Sequence, residues 1–299
     1  MSILASAPGK IVLSGEYAVL FGAPAICMAI DRRAVVSLEP GTECTVRTPG
    51  FTGEDPFAVV DAVSPGGRPL YEIDLDTSAF SENGNKIGIG SSAALTVALT
   101  AALENSADVM DQAMVAHARL QGGAGSGVDI ATAVHGGLIW YRRSSRSVEA
   151  IPWPDGLALR VIWTGVPVST RAKLDKLFEK PPRVTRMCFS DVAEGMANAW
   201  CTAKADAVLG AYASYIKILK QFSVDHDLGI FDAGHEALTD AAMADGLIYK
   251  PAGAGGGDIG VLFGRDEDEL DAFVERRREL IHGVISCALD PEGARLEQS

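Results

Sequence analysis

Three glycine-rich stretches hold the residues whose types and spacing suit chemistry on a phosphate. They are Ala5-Ser6-Ala7-Pro8-Gly9-Lys10 with Gly15-Glu16-Tyr17, then Gly88-Ile89-Gly90-Ser91-Ser92-Ala93-Ala94, and then Lys250-Pro251-Ala252-Gly253-Ala254-Gly255-Gly256-Gly257-Asp258. Glycine lets a backbone approach a phosphate with no Cβ in the way. The second stretch runs straight into an Ala/Leu-rich segment without a breaker, Ser91 to Glu104, which predicts a largely buried helix. The first turn of such a helix offers unsatisfied N–H donors and the positive end of its dipole. The dipole contributes only about 0.3–1 kcal/mol at an exposed terminus. An anion site over Gly88, Ile89, Gly90, Ser91, Ser92 and Ala93 therefore needs several N–H bonds together. The Ser92 hydroxyl can also ligate a Mg²⁺ bridging phosphates, and Lys86 adds a cation just upstream. The same stretch also fits an N-capped helix after a glycine turn. It matches neither GxxxxGK[ST] nor a full GxGxxG.

A second cluster, Gly125-Ser126-Gly127-Val128-Asp129, opens a short helix with an aspartate in its first turn. That position suits a dipole-stabilising carboxylate as well as a chemical one. Hydroxyls of Ser126, Ser169 and Thr170, with the helix start after Ser169, could bind a phosphate, and Arg171 or Lys173 could reach a carboxylate or the same phosphate. Ser169-Thr170 fits helix capping equally well. Trp163 reads as core rather than as a platform. The third glycine stretch either braces a nucleotide loop and a substrate by close backbone contact or makes a tight turn between strands.

In this order and with these flanks, the stretches resemble the three signature motifs of the GHMP small-molecule kinases. Gly88 to Ala94 is similar to the family's GLGSSAA, with Ile89 in place of Leu. Ala7-Pro8-Gly9-Lys10 with Gly15-Glu16-Tyr17-Ala18, then Trp163-Thr164-Gly165 with Ser169-Thr170, and then Lys250 to Asp258 resemble the phosphomevalonate kinase branch. The resemblance covers the chain except about residues 49–86. It implies ATP with Mg²⁺, and a small anionic acceptor such as phosphomevalonate. It also implies Lys10 and Asp129 as the catalytic pair, with Asp129 the proton acceptor. Substrate contacts are implied at Glu16, Tyr17, Ser126, Gly127, Trp163, Thr164, Ser169, Thr170, Gly255, Gly256 and Asp258. The chain departs from the pattern in three places. Residues 82–86 contain no proline, Ala118 stands where mevalonate kinases carry a metal-binding glutamate, and Gly123 stands where many phosphomevalonate kinases carry a lysine. Other acceptors within the family are mevalonate, a sugar or homoserine. A decarboxylase of the diphosphomevalonate type and a non-catalytic ligand sensor share the fold.

The elements that must position these residues alternate irregularly. Strands are predicted at Ile11–Leu13, Ala25–Ile30 and Ala34–Leu38, and less clearly at Phe57–Val63 and Leu70–Leu75. Helices are predicted at Ser91–Glu104, Asp108–Gln121 (with Ser106 or Asp108 as cap) and Gly127–His135, followed by strand Leu138–Arg142. The second half is expected to run as strand Leu159–Thr164 and helices Thr170–Glu179, Phe189–Phe222 (one or two) and Asp232–Ala244. Strands Leu247–Lys250 and Ile259–Phe263, helix Glu267–Glu279 and strand Gly283–Leu289 complete it. The pattern reads as α+β in two domains, with the boundary at the proline-flanked segment 152–156, giving 1–155 and 156–299. The resemblance implies a ribosomal protein S5 domain 2-like N-terminal domain and a ferredoxin-like C-terminal one.

Composition bounds the partners. A net charge of −13 over 299 residues argues against nucleic acid and anionic membrane. No apolar run reaches bilayer-spanning length. The N-terminus, broken by Pro8 and Gly9, does not read as a signal peptide. The five cysteines are widely spread, with no CxxC pair, as expected of reduced thiols in a cytoplasmic protein. A monomer or homodimer is expected.

Overall fold

The structure is a computed structural model and describes residues 2–50, 55–104, 108–123, 125–179 and 184–297. The chain divides into two compact units. One comprises Met1–Ile11, Cys27–Ile139 and Ala288–Ser299; the other comprises Val12–Ile26 and Trp140–Cys287. Both mix helix and sheet, as the sequence predicts.

The sheet of the first unit has the strand order Arg295–Glu297, Ile3–Ser14, Ala25–Pro40, Tyr71–Asp76, Thr45–Arg47. Its last pair, Thr45–Arg47 with Tyr71–Asp76, is parallel. Ala25–Pro40 is one 16-residue strand rather than the two runs expected. The charges Asp31-Arg32-Arg33 look like a break, but each finds a partner without one. Asp31 accepts from the Ala288 N–H at 2.9 Å, Arg32 pairs with Glu82 at 2.9 Å, and Arg33 pairs with Asp290 at 2.5 Å. Helices Ala58–Val63, Ser91–Glu104, Val109–Gln121 and Val128–His135 pack on one another. The first corrects the strand expected at Phe57–Val63. Its β-branched residues favour a strand, but Val59, Val60 and Ala62 are buried against neighbouring helices, and that packing decides the conformation. Asp108 stands at the N-cap of Val109–Gln121 with no capping side-chain bond; Ser106 lies outside the described residues.

The second unit has an antiparallel sheet in the order Ile248–Pro251, Ile259–Gly264, Ala158–Trp163, Gly283–Ile285. Residues alternate across it, so Leu262 and Phe263 face opposite sides. Leu262 joins Ile162, Leu238, Ala242, Leu270 and Phe273, which seats helices His235–Ala244 and Glu267–Arg276 on one face. Phe263 meets Tyr212 and Trp200 at ring-centroid distances of 5.1 and 5.9 Å. That contact seats helices Val184–Cys201 and Ala205–His226 on the other face. The break between these two helices falls at Ala203, whose φ is +55°. The strand predicted at Gly283–Leu289 ends at Ile285, and strands Thr45–Arg47, Ser147–Ala150 and Arg295–Glu297 have no clear sequence signal. Among the described residues no helix is long and apolar enough to cross a membrane.

Candidate functional site

In the first unit the structure brings Lys10 and Asp129 together from residues 119 apart. Lys10 Nζ lies 3.3 Å from Asp129 Oδ1, with side chains 11% and 31% exposed. Strand Ile3–Ser14 carries Lys10, and its N–H donates to Ile89 O at 2.9 Å, which locks the strand to the second glycine stretch. Gly90 has a φ of +89°, a conformation that favours glycine, and a Cβ there would lie 3.0 Å from Lys10 Cγ and 3.1 Å from Cε, so the lysine stem would have to shift to admit it. Asp129 sits in the first turn of Val128–His135, where Gly127 is the N-cap residue and Ser126 Oγ accepts from the Val128 N–H at 3.3 Å.

Helix Ser91–Glu104 begins directly after Gly90. Its first-turn N–H groups, at Ser91, Ser92 and Ala93, have no acceptor within their own helix. Ser92 is exposed and Ser91 buried. The buried hydroxyls of Thr96 and Thr100 bond back to Ser92 O at 2.8 Å and Thr96 O at 2.7 Å, so this apolar helix leaves neither unsatisfied. Beside the helix start opens a cavity of about 240 Å³, lined by Gly50, Ala58, Val59, Thr77, Phe80, Ser81, Lys86, Ser91, Ser92, Leu95 and Leu120. Seven of those eleven residues come from 49–86, the least readable part of the sequence. The cavity joins an apolar slot to a phosphate-type helix terminus, the combination a nucleotide requires.

Two further groups near the pair escape sequence reasoning. Cys27 is fully buried and donates to Ile11 O at 3.2 Å; burial pushes its thiol up to about 12, with the charges of Lys10 and Asp129 also acting on it. His117 is 7% exposed, and burial lowers its pKa, with Asp129, Lys10 and Lys86 as its charged surroundings. Both are neutral near pH 7. A lone Cys and a lone His carry no motif that could have flagged them.

In the second unit Glu16 and Tyr17 are buried, at 4% and 6% exposure. Glu16 Oε1 pairs with Lys250 Nζ at 2.9 Å, without hydrogen-bond geometry at the ammonium. Glu16 Oε2 accepts from Tyr215 OH at 2.9 Å, and Tyr215 OH accepts from the Gly15 N–H at 2.7 Å. Burial raises the pKa of the Tyr17 and Tyr215 phenols, and the Glu16 charge raises both further. Tyr17 OH donates to Ala254 O at 2.6 Å, in the third glycine stretch.

That stretch is a turn between Ile248–Pro251 and Ile259–Gly264, and it is also braced from outside. The Gly256 N–H donates to Ile230 O at 2.7 Å, and the Asp258 N–H to Val166 O at 2.6 Å. Thr164 Oγ1 donates to Asp258 O at 3.0 Å, and the Val168 N–H to Asp258 Oδ1 at 3.3 Å. His235, fully buried, donates from Nε2 to Gly257 O at 3.0 Å and accepts from Tyr249 OH at Nδ1, 2.8 Å away. Burial lowers its pKa to about 4, although the Gly257 carbonyl works against the shift. Ser169 is exposed, and its Oγ accepts from the Ala172 N–H at 3.3 Å, so it caps helix Thr170–Glu179. Thr170 is exposed at the start of that helix. Trp163 is core, 5% exposed and edge-on to His282 at 4.7 Å.

No protein-family model matches the chain. The chain is 32% identical to the phosphomevalonate kinase of Streptomyces sp. strain CL190, over 97% of each chain. It is 28% identical to the mevalonate kinase of Thermococcus sibiricus, over 99% of each. Among solved structures, the phosphomevalonate kinase of Streptococcus pneumoniae in complex with phosphomevalonate and AMPPNP matches with a TM-score of 0.80 at 18% identity, over 96% of this chain and 99% of that one. The Lin0012 protein of Listeria innocua matches with a TM-score of 0.86 at 21% identity, over all of both chains. At such identities the structural matches establish the fold.

Proposed function

The chain belongs to the GHMP kinase family, and on that premise we propose that it transfers the γ-phosphoryl group of ATP to phosphomevalonate, giving diphosphomevalonate. It is a kinase, a phosphotransferase. The observation that carries the reaction type is the Lys10–Asp129 pair held against Gly90, one residue ahead of helix Ser91–Glu104 and its cavity. Full-length similarity to a phosphomevalonate kinase supports the acceptor.

The base of ATP would occupy the cavity between Val59, Phe80, Leu95 and Leu120. Its phosphates would take the N–H groups of the Gly88–Ala93 segment, with Lys86 adding charge. The nucleophile is an oxygen of the acceptor's phosphate. It forms a new bond to the γ-phosphorus as the bond to the β-phosphate bridging oxygen breaks. That oxygen is already anionic, so no proton must leave it. Lys10 would neutralise charge on the transferring group, and Asp129 would hold the ammonium in place. Positioning and charge stabilisation then supply most of the rate, as expected for a loose phosphoryl-transfer transition state.

The residues fit a Mg²⁺ carried by the phosphates rather than one caged by the protein. Among the described residues no group of three His, Cys, Asp or Glu side chains could hold a metal. Mg²⁺ typically keeps several waters and binds through few protein groups plus substrate phosphates, and in nucleotide loops a Ser or Thr hydroxyl is one of those groups. The exposed Ser92 hydroxyl at the helix start would hold it, and the ion would supply neutralisation of phosphate charge. In the second unit, Thr164, Ser169, Thr170, Gly255, Gly256 and Asp258 are assigned to acceptor contacts, and buried Glu16, Tyr17 and Trp163 to holding those loops.

The test is coupled ADP release with Mg·ATP and either (R)-5-phosphomevalonate or (R)-mevalonate. Turnover with phosphomevalonate and none with mevalonate is expected. Turnover confined to mevalonate would overturn the acceptor, and ADP release with neither would overturn both assignments.

A further inference from the structure

Lys173, on helix Thr170–Glu179 of the second unit, is a cation with an incomplete environment. Its Nζ donates to Leu228 O at 2.7 Å and to Gly229 O at 3.2 Å. An ammonium has three N–H donors, so one remains. Among the described residues no carboxylate comes within ion-pair distance; Asp232 and Asp258 act on it only from farther away. The side chain is partly buried, and burial lowers its pKa. A partly desolvated charge held by neutral carbonyls lacks the counter-ion that normally offsets such burial.

The third glycine loop makes room for it. Gly256 has a φ of +74°, and a Cβ there would press on the Gly229 carbonyl oxygen and on Lys173 Nζ, so a side chain would crowd the ammonium where it meets that carbonyl. In the same loop the Gly256 and Asp258 N–H groups are occupied, while those of Gly255 and Gly257 donate to no acceptor among the described residues. Arg171, the other cation of this helix start, is exposed.

We propose that Lys173, with the free N–H groups of the adjoining glycine loop, forms an oxyanion subsite that takes a carboxylate or phosphate group of the acceptor. For the identity of that acceptor the proposal rests on the reading above. The subsite makes Lys173 a determinant of acceptor affinity rather than of ATP affinity.

The experiment compares the full-length protein with Lys173→Met and Lys173→Arg, by steady-state kinetics and by thermal shift. A lost charge-assisted hydrogen bond predicts a KM for phosphomevalonate raised about 10–100-fold in Lys173→Met. The KM for ATP stays near wild type, the unliganded midpoint falls only by what the bonds to Leu228 O and Gly229 O contribute, and Lys173→Arg recovers part of the KM loss. At constant ionic strength, inorganic phosphate carries the phosphate alone and (R)-mevalonate the carboxylate alone. Whichever stabilises the wild type and fails to stabilise Lys173→Met identifies the group bound. An unchanged KM would overturn the proposal, as would a lowered midpoint with unchanged KM, which marks Lys173 as a staple for residues 228–229. Anion stabilisation that persists in Lys173→Met would overturn it too. If the wild type does not turn over phosphomevalonate, the proposed acceptor fails while the thermal-shift arm still decides the subsite.

Discussion

Lys10 and Asp129 should not be equivalent, and their ranking tests the mechanism. At 3.3 Å and an effective dielectric of about 20, their attraction is at most about 5 kcal/mol, and water at Asp129 reduces it. Lys10→Met removes the cation from the transferring phosphoryl group and leaves Asp129 unpaired at 31% exposure. Loss of one such electrostatic contact costs about 10²–10³ in kcat. Asp129→Asn removes only the group that holds Lys10. With an anionic phosphate oxygen as nucleophile, the usual general-base contribution of about 10²–10⁴ is absent. The expected loss in Asp129→Asn is therefore roughly tenfold, the part of the pairing that positions the ammonium. The assay is single-turnover transfer from radiolabelled ATP to phosphomevalonate by quench flow, so that product release does not mask chemistry. If Asp129→Asn loses as much as Lys10→Met or more, Asp129 takes a proton in the reaction, and the assigned division of roles is wrong.

Three further outcomes follow from the geometry. Val59→Trp projects an indole into the cavity beside Ser91 and Ser92, so ATP affinity should fall by more than tenfold while the fold persists; nucleotide titration by calorimetry checks this. Glu16→Gln or Lys250→Met leaves one buried charge uncompensated and should destabilise by about 3–5 kcal/mol, whereas the double variant recovers much of that. Urea denaturation of the four proteins measures it, and equal losses in single and double variants would refute the pairing argument. His235 titrates near 4 when folded and near 6.5 when unfolded, so between those values the unfolded chain binds the extra proton. Its contribution, on the order of 3 kcal/mol, is present above pH 6.5 and lost as pH falls toward 4. The pH dependence of unfolding should flatten over that window in His235→Gln, and an unchanged slope would show that the imidazole is not buried neutral.

What was legible in the sequence follows from how local each signal is. Helix Ser91–Glu104 is an unbroken Ala/Leu run after a glycine pair, and its predicted start agrees with the structure to the residue. Thr170–Glu179 and Leu138–Arg142 behave the same way. Where partners are distant the local signal misleads: Asp31-Arg32-Arg33 looks like a loop until Ala288, Glu82 and Asp290 arrive to pair it. The site divides along the same line. The glycine stretches announce themselves because close backbone approach disfavours side chains at fixed positions, as Lys10 does at Gly90 and Lys173 at Gly256. The cavity does not, because Val59, Phe80, Leu95 and Leu120 are ordinary apolar residues that become a slot only when three helices and a turn converge. Glu16 shows the cost of reading a motif without its surroundings. A glutamate beside a glycine turn suits a substrate contact, yet Lys250 and Tyr215 enclose both of its oxygens. Its charge therefore acts on how the third glycine loop is held, and any effect of Glu16 on acceptor binding must pass through that loop.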